Sequence, residues 1–324
     1  MTGPINVALE LIEQIKTGSR LALAKAITLL ESDRREDQIV IDELVRHLTK
    51  ETKKLSTIRV GITGPPGAGK SSLIEKIGLQ FIKKNHKVAV LAIDPSSEIT
   101  KGSVLGDKTR MEELSASDSA FIRPSPSRGH LGGVSVATHD AIKACELAGY
   151  DVILVETVGV GQSESQVADL VDVYTLVALS GTGDDLQGIK RGILEKVDFV
   201  LVNKYDGENK IPAQLAEKQL KSSLHILRQS EIPVLLTSAV YDIGIEEFCS
   251  WIENFSKKSS PMINDKRQKQ ESLWTYHYID QFLRREMEFR LETNKGLAQD
   301  IQKIASGHKN PRDVARAFVV DLLK

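Results

Sequence analysis

The residues that carry the most chemistry are Gly64-Pro65-Pro66-Gly67-Ala68-Gly69-Lys70-Ser71, directly after the apolar run Ile58-Arg59-Val60-Gly61-Ile62. G-x-x-x-x-G-K-[ST] behind a strand is the spacing of a polyphosphate-binding loop. Glycines without Cβ let successive backbone N–H groups turn inward around phosphate oxygens. Lys70 reaches the terminal phosphates, and Ser71 and Ser72 open a helix whose positive N-terminus adds to the field. The Ser71 hydroxyl is a hard oxygen suited to Mg²⁺. Leu73, Ile74 and Ile77 follow at helical spacing, so the strand–loop–helix context is complete. The implied ligand is a nucleoside polyphosphate.

Asn203-Lys204-Tyr205-Asp206, after the apolar stretch 197–202, narrows the base. A carboxylate at Asp206 accepts from guanine N1–H and the N2 amine, a donor pair that adenine lacks. Asn203 can reach N7, and the Lys204 stem can cover the ring. Further on, Thr237-Ser238-Ala239 follows strand 232–236, where a backbone N–H near Ala239 could meet guanine O6. Together these choose GTP over ATP.

Three acidic residues stand at strand ends or shortly after. Asp94 follows strand 87–93, and Asp107 lies in Gly102-Ser103-Val104-Leu105-Gly106-Asp107-Lys108-Thr109-Arg110. Both are placed to supply oxygen ligands to Mg²⁺; equally, Asp94 could simply end its strand and Asp107 cap a helix near Lys108. Glu156 opens Glu156-Thr157-Val158-Gly159-Val160-Gly161-Gln162 after strand 151–155. In GTP-binding proteins an acidic residue here helps hold magnesium, and the glycine three residues later offers its N–H to the γ-phosphate. Glu156 replaces the usual Asp, and Val160 stands where many GTPases place a water-orienting Gln. Hydrolysis is expected to be slow until a partner or another loop completes the site.

The elements that must position these residues form an α/β pattern. Apolar segments at 58–62, 87–93, 119–122, 151–155, 173–179, 197–202 and 232–236 alternate with helices, as a mostly parallel central sheet requires. In such sheets ligands lie beyond the carboxyl ends of the strands. Residues 1–56 are expected to form an N-terminal helical extension, 57–256 the nucleotide domain and 257–324 a C-terminal helical arm. Lys257-Lys258-Ser259-Ser260-Pro261 reads as the linker into that arm. Along the arm, Leu273, Tyr276, Ile279, Leu283 and Met287 share one stripe and Trp274, Tyr278 and Phe282 a second. With 43 basic and 44 acidic residues the net charge is −1, which implies no nucleic-acid partner. Cys145 and Cys249 sit in no metal or redox motif, and neither a secretory leader nor a membrane span is apparent. A reducing cytoplasm is the expected setting.

The chain resembles the MeaB/ArgK family of P-loop GTPases, in the metallochaperone-type branch. The resemblance covers essentially the whole chain and rests on long strings: Asp94-Pro95-Ser96-Ser97, the 102–111 segment, Ser127-Arg128-Gly129-His130-Leu131-Gly132-Gly133, the 156–164 segment and Gly181-Thr182-Gly183-Asp184-Asp185-Leu186-Gln187-Gly188-Ile189-Lys190. It implies a GTPase that chaperones an adenosylcobalamin-dependent acyl-CoA mutase, chiefly methylmalonyl-CoA mutase, gating cofactor loading and protecting the mutase. It also implies that Ser71, Asp94, Asp107 and Glu156 surround Mg²⁺, and that 180–190 is a further switch loop from which Lys190 could swing to the phosphates. The C-terminal arm is, by the same resemblance, a homodimer contact. Cobalamin itself belongs to the partner, since Asp-x-His-x-x-Gly is absent and the seven histidines are scattered.

Two other readings are carried: a dimeric scaffold that binds GTP and scarcely hydrolyses it, and the older family reading of an accessory kinase for an arginine/ornithine transport system. The second finds no membrane segment here, and N-K-x-D speaks against ATP. Asp206→Asn should move the preference from guanosine toward xanthosine nucleotides; retained GTP selectivity in competition binding would refute the base-reading role.

Overall fold

The computed structural model describes residues 3–51, 57–94, 111–126, 136–157, 166–179, 191–228 and 231–322. Its strands are β1 (Ile58–Thr63), β2 (Val88–Asp94), β3 (Ala120–Pro126), β4 (Val152–Thr157), β5 (Val173–Ala178), β6 (Phe199–Val202) and β7 (Val234–Leu236). They form one sheet in the order β3-β2-β4-β1-β5-β6-β7, with every neighbouring pair parallel. All seven expected strands are present, and β3 runs on to Pro126, past the expected 122. Every residue of β1, β4, β5 and β6 is buried. That is why these strands read as continuous apolar runs: helices cover both faces.

Helix α4 (Lys70–Lys83) begins directly at the glycine-rich loop and buries Leu73, Ile74, Ile77 and Phe81. These join Val60, Ile62, Val177 and Phe248 in the main core. A short helix α5 (Glu112–Ser115) is pinned to α4: Glu75 accepts from the N–H of Glu113 at 3.0 Å, and Leu114 packs where a Cβ on Gly78 would stand. Helix α6 (Val136–Leu147) is buried along nearly all its length. The reason is the N-terminal trio α1 (Pro4–Lys16), α2 (Arg20–Leu30) and α3 (Gln38–Glu51), which pack on its outer side. Gly18, with φ +84°, turns the chain after α1, and Ser19 caps α2 by accepting from Ala22 N–H. Arg123 of β3 ties α2 to the sheet through Glu31.

Further helices among the described residues are α7 (Arg191–Lys196), α8 (Lys210–Arg228), α9 (Ile245–Lys258), α10 (Ser260–Thr293), α11 (Lys295–Ala305) and α12 (Pro311–Leu322). The linker expected at 257–261 is smaller than its composition suggests. Lys257 and Lys258 finish α9, Ser259 alone is non-helical, and Pro261 sits in the first turn of α10. Proline is tolerated there because its missing N–H would be unpaired anyway. The chain divides into two compact units, Met1–Gln270 and Glu271–Lys324. In the second, Asn294 caps α11 by accepting from Leu297 N–H, and Arg290 donates to the carbonyl of Asp321 on α12. Tyr276, Ile279, Phe282 and Leu283 stand exposed along α10.

At the amino ends of β1 and β5 lies a buried ionic network that the sequence did not announce. Arg59 donates to both oxygens of Glu146, at 2.7 and 3.0 Å. Arg267 of α10 donates to both oxygens of Asp172, at 2.8 and 2.6 Å, and to the Thr57 carbonyl. Asp172 also accepts from the Arg59 N–H. Burial works to raise the Glu146 carboxyl, but Arg59 and then Arg267 outweigh it and hold that group below the ordinary carboxylate value. Its stabilisation is therefore complete above the unfolded-state value of about 4.3 and is lost as the pH falls through the depressed folded-state value. Glu146→Gln should cost about 3 kcal/mol at pH 7, because two arginines lose a buried counter-charge. Urea unfolding should show that gap closing below pH ~4; a gap independent of pH would contradict the assignment.

Candidate nucleotide-binding site

The phosphate loop connects β1 to α4 at the carboxyl edge of the sheet, with β4 and β5 on either side of β1. Gly64 has φ +150°, and a Cβ there would lie 2.2 Å from the Val177 carbonyl oxygen of β5. Only glycine lets the loop leave β1 this close to its neighbour. Pro66 and Gly67 form the exposed tip, Ala68 is buried, and Gly69 at φ +83° is the N-cap of α4. Lys70 is buried, and its ammonium donates to the Gly64 and Pro65 carbonyls at 2.8 and 3.1 Å. A cation is thus stationed over the mouth of a loop whose other groups are backbone dipoles. Ser72 is exposed on the first turn of α4.

Beside it, the Ser71 hydroxyl donates to Glu156 Oε1 at 3.0 Å. Glu156 is buried at the end of β4, level with Ile62 of β1 and Ala92 of β2. A hydroxyl and a buried carboxylate in contact are the hard-oxygen pair that Mg²⁺ takes, so the residues present fit that ion. One residue on, Thr157 Oγ1 donates to Thr63 Oγ1 at 3.0 Å, joining the ends of β4 and β1. Asp94 closes β2 one residue beyond the Ile93–Thr157 pairing, so its backbone reaches the same edge. Asp107, Gly159 and Lys190 lie outside the described residues.

The N-K-x-D residues follow β6. Asn203 is buried, its N–H bonds the Ala178 carbonyl, and its side-chain amide donates to the Ala68 carbonyl at 2.8 Å. Its Oδ1 is a buried acceptor without a hydrogen-bond partner among the described residues. Lys204 takes φ +61° and is exposed. Asp206 accepts from the Ser238 hydroxyl at 2.5 Å, and Ser238 Oγ in turn accepts from Tyr241 N–H. Ser238 and Ala239 are buried in the turn after β7, where Thr237 N–H bonds Val202 and Tyr205 N–H bonds Thr237. Carboxylate, amide and turn are set relative to one another before any base is considered.

The structure therefore gathers the loop residues 64–72 with Glu156, Asn203, Asp206, Ser238 and Ala239. Sequence reasoning missed the side-chain role of Ser238, the Thr63–Thr157 bond and the tether from Asn203 to Ala68. The first two had a signal: hydroxyl residues at the carboxyl ends of otherwise apolar strands.

A wholly parallel sheet whose first strand feeds a G-x-x-x-x-G-K-S loop, with N-K-x-D at the end of β6, defines the chain as a P-loop GTPase. It belongs to the family described as methylmalonyl Co-A mutase-associated GTPase MeaB, which it matches over residues 23–290. It is 44% identical over 271 residues to GTPase ArgK of Escherichia coli, covering 82% of this chain and 81% of that one. It is 42% identical over 308 residues to the mouse mitochondrial methylmalonic aciduria type A homolog, covering 91% of this chain and 74% of that one. A solved structure described as a LAO/AO transport system kinase superposes with a TM-score of 0.72 at 31% identity, covering 100% of this chain and 99% of that one.

Gly69 is the position at which the phosphate loop meets Asn203. A Cβ there would stand 2.6 Å from Asn203 Nδ2, at a φ that side chains rarely adopt. Gly69→Ala should break the Asn203–Ala68 hydrogen bond and lower GDP affinity about tenfold or more, as a contact loss plus backbone strain demands. Calorimetry checks it, and unchanged affinity would show that the tether is dispensable.

Proposed function

We propose that this GTPase acts as the nucleotide-dependent chaperone of an adenosylcobalamin-dependent acyl-CoA mutase, with methylmalonyl-CoA mutase as the client. The observation that carries the reading is the N-K-x-D arrangement, with Asn203 bonded to Ala68 and Asp206 to Ser238, in a chain that matches a mutase-associated GTPase family over most of its length. In this reading Lys70 exchanges its loop carbonyls for β- and γ-phosphate oxygens, and the loop N–H groups hold the rest. Ser71 and Glu156, with Asp94 and Asp107, would hold Mg²⁺. That ion supplies neutralisation of the charge that develops on the phosphates. Gly159 senses the γ-phosphate, and Lys190 of the 180–190 loop reaches the nucleotide when the client is engaged. Catalysis rests on positioning and electrostatics, with no covalent intermediate.

Val160 in place of a water-orienting Gln supports the slow, partner-dependent hydrolysis that suits a timer. The cytoplasm is the proposed location; among the described residues no helix is long and apolar enough to cross a membrane. The free cysteines Cys145 and Cys249 are buried, and burial pushes their thiols up, Cys249 to about 12. Residues 257–324 act as the homodimer arm: the exposed apolar side chains Tyr276, Phe282 and Leu283 along α10 suit a second copy. The alternative of a scaffold that scarcely turns GTP over draws on the same Val160.

GTP turnover with and without the host's own methylmalonyl-CoA mutase separates the two. Stimulation by roughly an order of magnitude or more is expected, the scale on which partner-supplied groups act on GTPases. No stimulation by any acyl-CoA mutase would favour the scaffold. Lys70→Ala should abolish GTP binding in calorimetry, and an unchanged affinity would sink the phosphate-loop assignment.

A further inference from the structure

Two buried hydroxyls sit directly behind the metal-side carboxylate. β1 ends at Thr63, the residue before Gly64 of the phosphate loop, and β4 ends at Thr157, the residue after Glu156. Thr157 Oγ1 donates to Thr63 Oγ1 at 3.0 Å, with Thr63 0% and Thr157 1% exposed. Successive side chains of a strand point to opposite faces of its sheet. Glu156 turns to the α4 face, where Ser71 donates to it at 3.0 Å, so the threonine pair lies on the other face.

That other face is apolar around the pair. A Cβ on Gly61, two residues before Thr63 and on the same face, would stand 2.9 Å from Val167 and Val171 and 3.2 Å from Tyr174. Val155, two residues before Thr157, is fully buried, and the register sets Leu176 of β5 beside Thr63. Packing gives no reason for hydroxyls here. Replacing both partners of a buried hydrogen bond by apolar groups of the same shape, as valine is to threonine, leaves stability nearly unchanged. What a valine pair could not supply is a directional bond between the ends of the two strands.

The bond bears on the ion because of the residue it adjoins. Glutamate has one more rotatable bond than aspartate, so the place of its carboxylate depends more on how firmly its backbone is held. In the sheet Glu156 is flanked by Ile62 of β1 and Ala92 of β2. The Thr63–Thr157 bond then ties β4 to β1 one residue beyond the Ile62–Glu156 pairing, at the point where the phosphate loop departs. Mg²⁺ demands near-ideal octahedral geometry, and the residues behind its ligands tune how well they meet it.

We infer that Thr63 and Thr157 are a positioning pair for the Mg²⁺ site, holding the Glu156 carboxylate against Ser71 from the opposite face of the sheet. The inference rests on the reading of Ser71 and Glu156 as metal ligands and adds to it the residues that keep the two in register. A purely structural role makes a different prediction: lower stability, with no selective effect on the ion.

The test uses the full chain and measures GDP binding by calorimetry, once in EDTA and again across a series of magnesium chloride concentrations. The variants are Thr157→Val, Thr63→Val combined with Thr157→Val, and Thr157→Ser, with Glu156→Gln as the metal-ligand control. Both valine variants should raise the Mg²⁺ concentration needed for half-maximal tightening of GDP about tenfold, the scale on which residues behind metal ligands act. Their GDP affinity in EDTA should stay that of the parent. The double variant guards against misfolding, because it leaves no hydroxyl without its partner. Thr157→Ser keeps the hydroxyl and should behave as the parent does. Valine variants with the parent's Mg²⁺ dependence, beside a shifted Glu156→Gln, overturn this inference and leave the metal reading intact. Valine variants that weaken GDP equally with and without Mg²⁺ give the pair a structural role and overturn it as well. A Glu156→Gln variant with the parent's Mg²⁺ dependence overturns both the inference and the metal reading.

Discussion

Asn203 donates to the carbonyl of Ala68, and that hydrogen bond joins the N-K-x-D loop to the G-x-x-x-x-G-K-S loop. Gly69 makes the contact possible, because a side chain there would occupy the space of the Asn203 amide. Gly64 makes the loop's exit possible, against the backbone of β5. Around this joint the Ser71–Glu156 and Ser238–Asp206 hydrogen bonds set the metal-side and base-side carboxylates. Buried polar groups of this kind are costly unless paired, so a site built this way is rigid where its partners are complete. Among the described residues Asn203 Oδ1 has no such partner.

The two ends of the sheet divide the work. At the carboxyl edge, loops carry function and their contacts are single hydrogen bonds that a ligand can exchange. At the amino edge, Arg59, Glu146, Asp172 and Arg267 form a buried ionic lattice that joins β1, α6, β5 and the start of α10. Breaking one member leaves a charge without compensation, which is why such a lattice fixes one arrangement of elements. The strands that start in this lattice, β1 and β5, are the two whose far ends meet at Gly64.

Much of this was legible in the chain before any coordinates. Seven apolar runs at the right intervals marked the strands, because a sheet buried on both faces leaves no polar alternation to obscure them. The phosphate and base motifs were legible because their geometry demands particular residues at fixed spacing. The ionic lattice was not, since Arg59 and Arg267 are 208 positions apart and read singly as ordinary charges. The break at 257–261 misled for a local reason: Ser-Ser-Pro is loop-like in composition, yet proline in a first turn is compatible with helix. The tether to Ala68 was invisible because it uses a backbone carbonyl, which every residue carries.

The measurement that bears most directly on this account is the affinity of the Asn203→Ala variant for Mg²⁺-tripolyphosphate, a ligand with no base to read. If Asn203 welds the two loops together, the variant should bind tripolyphosphate several-fold more weakly than the parent, alongside its loss of GDP affinity. If the variant loses GDP affinity but binds tripolyphosphate as the parent does, Asn203 acts on the base alone, and the joint described here does not organise the phosphate loop.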